Sequence, residues 1–201
     1  MGCDDKQFGE PPEPTNLTGA EAAYHHTRRI LDFGPRPPAS AALQKTRAYL
    51  AGQLNRSGWQ VSMRPFARKV RFFNPITRKM EENRVTFTNL VARFGSAGTP
   101  DLWERPVEGL LGAHIDSKYY PRRKFVGADD AASAAGVILE LARDLQSSPH
   151  LASQLELVFF DGEEAFGRDI NTNDGLYGSR AYAARWRTAP RRPRFGIVLD
   201  M

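Results

Sequence analysis

Leu155-Glu156-Leu157-Val158-Phe159-Phe160-Asp161-Gly162-Glu163-Glu164 is the stretch on which the fold turns. Its first six residues are almost continuously apolar, which suits a strand covered on both faces. Its last four are polar, so the strand delivers a pair of carboxylates, Glu163 and Glu164, just past its carboxyl end. Working outward, residues 107–113 read as a strand ending at His114. Residues 131–145 repeat apolar side chains at helical spacing (Ala135, Ile138, Leu139, Ala142). Residues 176–186 read as a further helix, and 195–199 as another buried strand ending at Asp200. Strands alternating with helices predict an α/β fold, a sheet with helices on both faces.

The first half is less regular. Thr18-Gly19-Ala20-Glu21 has the form of a capping box. The helix it opens is expected to turn Ala23, Tyr24, Thr27, Ile30 and Leu31 inward, and Gly34-Pro35 stops it. Ser40 is placed to cap a second helix with Leu43, Leu50 and Leu54 inward. Trp59, Val61 and Met63 alternate with polar residues and predict a strand. Residues 68–84 are basic, with Asn74-Pro75 as a turn signal, and read as a long hairpin or loop. Residues 85–94 are rich in strand formers.

Composition narrows the class. The chain has 201 residues, 41% hydrophobic and 25% charged, which is ordinary for one globular domain and excludes collagen-like or largely disordered chains. A single cysteine excludes an intramolecular disulfide framework and a cysteine-cage zinc site. No apolar run approaches the ~18 residues of a membrane-spanning helix. The net charge of +5 raises nucleic acid as a partner. However, Pro190 and Pro193 break up the arginines at 185, 187, 191, 192 and 194, and no recognition motif accompanies them, so nucleic-acid binding is not expected.

Residues 1–17 read as a flexible, Pro-rich tether. Met1-Gly2-Cys3-Asp4 contains no signal peptide as written, yet Gly-Cys-Asp resembles the cleavage junction of bacterial lipoproteins. Cys3 is thus either a lipid-bearing membrane tether, placing the protein in the cell envelope or outside the cell, or an incidental residue of a disordered terminus.

The chemistry-bearing residues share one position in the pattern. His114, Glu163-Glu164 and Asp200 follow strand ends, and Asp129-Asp130 precedes a helix. The crevice beyond the carboxyl ends of the strands is where ligands bind in open α/β sheets. Several carboxylates and an imidazole gathered there would repel one another without a cation, and they form a suitable zinc donor set. Singly, each has a plainer role: a hydrogen-bonded histidine, a helix cap, a solvated turn, a loop carboxylate.

Four blocks occur in order: Gly112-Ala113-His114-Ile115-Asp116-Ser117-Lys118, Val126-Gly127-Ala128-Asp129-Asp130, Phe159-Phe160-Asp161-Gly162-Glu163-Glu164 and Leu176-Tyr177-Gly178-Ser179. They resemble the animal-type glutaminyl-peptide cyclotransferases, within the zinc aminopeptidase superfamily. The resemblance implies a mixed, mostly parallel central sheet of the zinc exopeptidase kind, with residues 18–201 forming the N-terminal part of one domain. It implies Zn2+ as cofactor, Asp130 and Glu164 as ligands, and Glu163 as general acid/base. Asp200 matches an active-site carboxylate, and His114 matches a ligand of the second metal in the two-zinc peptidases. The implied substrate is the N-terminal glutamine of a peptide or protein, closed to pyroglutamate with loss of ammonia. The alternatives are an aminopeptidase, in which Glu163 would activate water, and an inactive metal-binding remnant. The Asp-Gly preceding the glutamates, Ser117-Lys118 and the long 166–174 segment favour the cyclase. A departure accompanies these matches: the family's further histidine ligand lies in a loop beyond the strand ending at Asp200, and this sequence stops at Met201, so it is expected to be incomplete at the C-terminus. Composition and motifs leave the oligomeric state open.

Overall fold

Ser40 sets the start of the second helix. Its hydroxyl accepts the Leu43 amide at 3.1 Å, satisfying one of the donors a helix leaves free at its N-terminus. The computed structural model describes residues 19–74, 76–120 and 122–200. The tether with Cys3, the Thr18 cap and the Pro75 half of the turn signal lie outside the described residues.

Two helices open the chain, α1 (Gly19–Asp32) and α2 (Ala41–Arg56). β1 (Trp59–Asn74) and β2 (Lys79–Phe94) form a hairpin with strands of 16 residues each, and residues 68–84, read as a long hairpin or loop, make its outer half. β3 (Gly109–His114) follows, then a wide helical turn (Ala128–Ser133) that leads into α3 (Ala134–Leu145). α4 (Pro149–Ala152) is a single turn. β4 (Leu155–Phe160), α5 (Tyr177–Arg185) and β5 (Phe195–Val198) complete the chain.

The strands form one mixed sheet in the order β1-β2-β4-β3-β5. β2 is antiparallel to both β1 and β4, whereas β3 is parallel to β4 and β5. The pleat divides side chains between two faces. Leu90, Ala92, Ala113, Leu157 and Phe159 pack with Ile30, Leu43, Leu50, Leu54, Ile138 and Leu139 from α1, α2 and α3. Val91, Val158 and Phe160 point the other way and meet Tyr182 of α5. This two-sided cover explains why β4 reads as a continuous apolar run.

Local details bind the layers. Trp59 is fully buried and donates its indole N–H to Ala142 O at 3.0 Å, tying β1 to α3. α1 crosses α3 at Gly136, where a Cβ would stand 2.5 Å from Ala23 O and 2.6 Å from Thr27 Oγ1. Glu156 is fully buried on the α5 face. Arg93 Nε (2.5 Å), Arg185 Nη2 (3.1 Å) and the Tyr182 hydroxyl supply its partners.

Two sequence expectations are corrected. Tyr24 is 64% exposed, because the inward stripe of α1 runs through Ala22, Thr27 and Ile30. β5 is not buried: Phe195, Ile197 and Val198 are 50–61% exposed. Its apolar composition signals a strand correctly, but β5 lies at the edge of the sheet and no described element covers its outer side.

Candidate active site

Parallel strands bring their carboxyl ends to one side of a sheet. β3, β4 and β5 therefore deliver His114, the Glu163-Glu164 loop and Asp200 to the same end. The wide turn before α3 brings Asp130 there as well. Gly127 makes that turn feasible: its φ is +51°, and a Cβ on it would stand 2.1 Å from Asp130 O. The following Asp130–Ala131 peptide is cis.

His114 is the centre of the arrangement and is buried. Its Nε2 lies 2.7 Å from Asp130 Oδ1 and 3.6 Å from Asp200 Oδ1. One donor atom from each of His114, Asp130 and Asp200 falls within a 4.8 Å cluster. Both ring nitrogens are shielded from solvent without a well-directed hydrogen bond, an expensive arrangement unless something else satisfies them. Two carboxylates and an imidazole in this geometry fit a divalent cation such as zinc. Asp130 and Asp200 are 40% and 49% exposed, so the cluster opens toward solvent.

Glu163 and Glu164 stand outside that three-residue cluster. The Glu164 carboxylate lies 3.7 Å from Lys118 Nζ, which also donates to Ala165 O at 2.6 Å. Burial, then Asp130, pushes the Glu164 carboxyl up to about 7, against the pull of Lys118. Glu163 is raised by burial, then by the neighbouring Asp116, Asp200 and Asp130, with His114 opposing. Burial by itself would lower the pKa of His114. Asp116 and Asp130 outweigh it and carry the imidazole up to about 10. Asp130 in turn is held low by the close approach of the His114 ring. The acidic cluster thus calls for a positive charge, supplied by the imidazolium when no metal is present. A bound cation would take over that role and leave the ring neutral.

Two further residues, Asp116 and Arg36, support the site from behind. Asp116 is fully buried and accepts the amides of Glu163 (3.0 Å) and Glu164 (3.1 Å). Its Oδ1 also lies 3.4 Å from His114 Nδ1. One carboxylate therefore orients the imidazole and the glutamate backbone together. The available signal was its position two residues beyond His114 in the same strand-end motif. Arg36 is also fully buried. Its guanidinium donates to Ile115 O (3.1 Å), Val126 O (2.6 Å) and Gly127 O (3.0 Å). It clamps the segment after His114 to the segment before Asp130. Burial lowers its pKa to about 10, with Asp116 and Asp130 favouring the charge. No local pattern in the sequence marks it.

Beside the cluster lies a cavity of about 670 Å³, reached by His114, Glu163 and Asp200 and walled by Tyr182, Trp186 and β5. This is ample for a small side chain bound at its polar end. Asp161 is fixed away from the cavity: its carboxylate accepts Arg47 Nη1 (3.1 Å) and the Thr88 amide (2.7 Å).

The family model described as Peptidase family M28 matches residues 89–201. The glutaminyl-peptide cyclotransferase of Dictyostelium discoideum is 32% identical over 154 residues, covering 70% of this chain and 40% of that protein. Among solved structures, the glutaminyl cyclase of Porphyromonas gingivalis superposes with a TM-score of 0.72 at 28% identity, covering 93% of this chain and 60% of that one. A Zn-dependent exopeptidase from Parabacteroides distasonis gives 0.65 at 26% identity, covering 90% and 61%. The chain thus spans less than half the length of that curated relative and about three fifths of each structure.

Proposed function

Because the chain belongs to peptidase family M28, we propose that its acidic site serves a zinc-dependent glutaminyl-peptide cyclotransferase. The observation that carries this reading is Glu163, a carboxyl with a raised proton affinity, beside the His114–Asp130–Asp200 cluster and a cavity. The likeness to glutaminyl cyclases in sequence and fold supports it.

In this reading the N-terminal glutamine of a peptide enters the cavity. Its α-amine attacks its own γ-amide carbon; the new C–N bond closes the pyroglutamyl ring and the old one releases ammonia. Glu163 takes the proton from the attacking amine and hands it to the departing ammonia, so no proton is gained or lost overall. A carboxyl whose pKa is raised by burial suits such two-way transfer. Asp116 keeps Glu163 in place through its backbone amide. Asp130, Glu164 and His114 are the proposed metal-holding residues, with Asp200 beside them as an active-site carboxylate. His114, Asp130 and Asp200 are the three that lie close enough here to share one ion. When bound, zinc would supply polarisation of the γ-carbonyl oxygen.

The test is product identity. Peptides beginning with Gln should yield pyroglutamyl peptides and ammonia, and leucyl amides should be barely hydrolysed. Release of free amino acids without ammonia would establish the second reading, an aminopeptidase, which the likeness to the Parabacteroides distasonis exopeptidase favours. Glu163→Gln should lower turnover by about 10²–10⁴-fold while retaining the metal; zinc loss in that variant would overturn its role as the proton carrier. The Gly2-Cys3 junction supports a cell-envelope location through a lipid tether. Mass spectrometry of the N-terminus of protein isolated from its own cells tests this, and an unmodified Cys3 there would remove the tether.

A further inference from the structure

The outer half of the β1–β2 hairpin serves no part of the chemistry above. β4 pairs with β2 only at residues 90–93, so the hairpin runs on past the sheet as an arm. One face of this arm is covered: Val70 and Phe87 are fully buried and pack with Tyr177 and Phe166. Period-two alternation sends Arg71 and Phe73 to the opposite face, and Phe73 is paired across the hairpin with Met80. That face and the turn are exposed, with Phe73 at 53%, Met80 at 59% and Ile76 at 69%. Isolated apolar residues on a surface are ordinary, but three at one protruding tip mark a contact surface.

The same tip is strongly basic. Arg71, Arg78 and Lys79 are all exposed. Of the arm's two acids, Glu82 pairs with Lys69 at 3.0 Å, and Glu81, held by the neutral donors Asn74 (2.9 Å) and Thr77 (2.7 Å), keeps one negative charge against the tip's three cations. Among the described residues no ion pair neutralises Arg71, Arg78 or Lys79. A tip that is both apolar and cationic, and that protrudes, matches the requirements of an anionic lipid interface. Apolar side chains enter the boundary between headgroups and acyl chains, and flanking cations meet the phosphates.

We propose that the tip of the β1–β2 hairpin docks on an anionic membrane surface, inserting Phe73, Ile76 and Met80 and pairing Arg71, Arg78 and Lys79 with lipid phosphates. This is independent of the reaction at the acidic site and of any lipid on Cys3. Phosphate charge alone would not use the three apolar side chains, and a neutral apolar partner would not use the cations.

Flotation of the full chain with vesicles tests this, because aggregated protein does not float. The chain should rise with phosphatidylcholine–phosphatidylglycerol vesicles and stay behind with phosphatidylcholine alone. Arg71→Gln/Arg78→Gln/Lys79→Gln should weaken partitioning about a hundredfold, at about fivefold for each cation. Phe73→Ser/Ile76→Ser/Met80→Ser should weaken it at least tenfold, with the far-ultraviolet circular dichroism of both variants unchanged. Failure of the unaltered chain to float with anionic vesicles would overturn the proposal. So would equal flotation with neutral vesicles, or undiminished flotation of either triple variant. Binding to soluble polyglutamate that survives the serine substitutions, without flotation, would assign the cations to an acidic macromolecule instead.

Discussion

β1 is paired along all 16 of its residues and begins at a fully buried tryptophan. β5, at the opposite edge of the same sheet, is a 4-residue strand paired only to β3, with Phe195, Ile197 and Val198 at least half exposed. β1 has two β-branched residues, Val61 and Val70, among its 16, whereas β5 has Ile197 and Val198 among its 4, so intrinsic preference would favour β5. The difference lies in what each edge is given to pack on. Trp59 finds Phe94 at 5.5 Å between ring centroids and the carbonyl of Ala142. β5 finds the cavity on one side and no further strand beyond it among the described residues. A hydrophobic strand with an open edge is a template for unwanted pairing. The contrast shows that an apolar strand stabilises a fold only to the extent that its neighbours remove it from water.

The comparison can be broken most decisively at the anchored start of β1. Trp59→Ala should cost about 3–5 kcal/mol, measured by urea unfolding. A cost near zero would show that the hairpin edge is no better anchored than β5. Next, Arg36→Met should cost about 2–4 kcal/mol, because three buried carbonyls lose their donor; it should also weaken zinc binding by loosening the turn that carries Asp130.

A third measurement moves to the site itself, where β3 and β5 meet. His114→Ala and Asp200→Asn should each reduce zinc affinity of this chain at least tenfold, since each removes or weakens one of three clustered donors. Glu164→Ala should reduce it less, because Glu164 lies outside that cluster beside Lys118. Isothermal titration decides the order, and binding abolished by Glu164→Ala alone would reverse it. The smallest effect belongs to the open edge. Ile197→Ser should change unfolding free energy by less than about 0.5 kcal/mol while lowering aggregation, read by light scattering. A large loss of stability would mean that β5 is buried in solution.

The residues gathered in the candidate site were legible where the sequence pattern ended abruptly. His114, Glu163, Glu164 and Asp200 stand out because each lies at or just past the end of an apolar strand, and strand ends of one sheet share a side. The sheet itself was legible for the same reason: the unbroken run in β4 requires cover on both faces. Asp116 was visible only as a member of a motif, since its work is done on amides 47 and 48 residues away. Arg36 was not legible, because a buried guanidinium looks like a surface one until its acceptors are known. The burial of β5 was misread because composition reports a strand's affinity for cover and not whether cover is there. Tyr24 was misplaced by less than a turn of helix, which is enough to rotate a side chain from core to solvent.

The clamp formed by Arg36 also bears on how the molecule comes together in time. Its acceptors lie 79, 90 and 91 residues further along the chain. During synthesis, the loop after α1 therefore holds only the nearby Gly34 carbonyl (3.4 Å) until the residues 79 to 91 further along have been made. Contacts of such span add to the mean sequence separation that slows folding, since the loop must close before it is rewarded. Local elements such as α2 and the hairpin can form first, whereas the groups around His114 are joined only once both ends of that long loop are in place. Pulsed hydrogen exchange would record this as late protection of the Ser117 amide, which donates to Arg36 O at 3.1 Å, relative to the amides within α2.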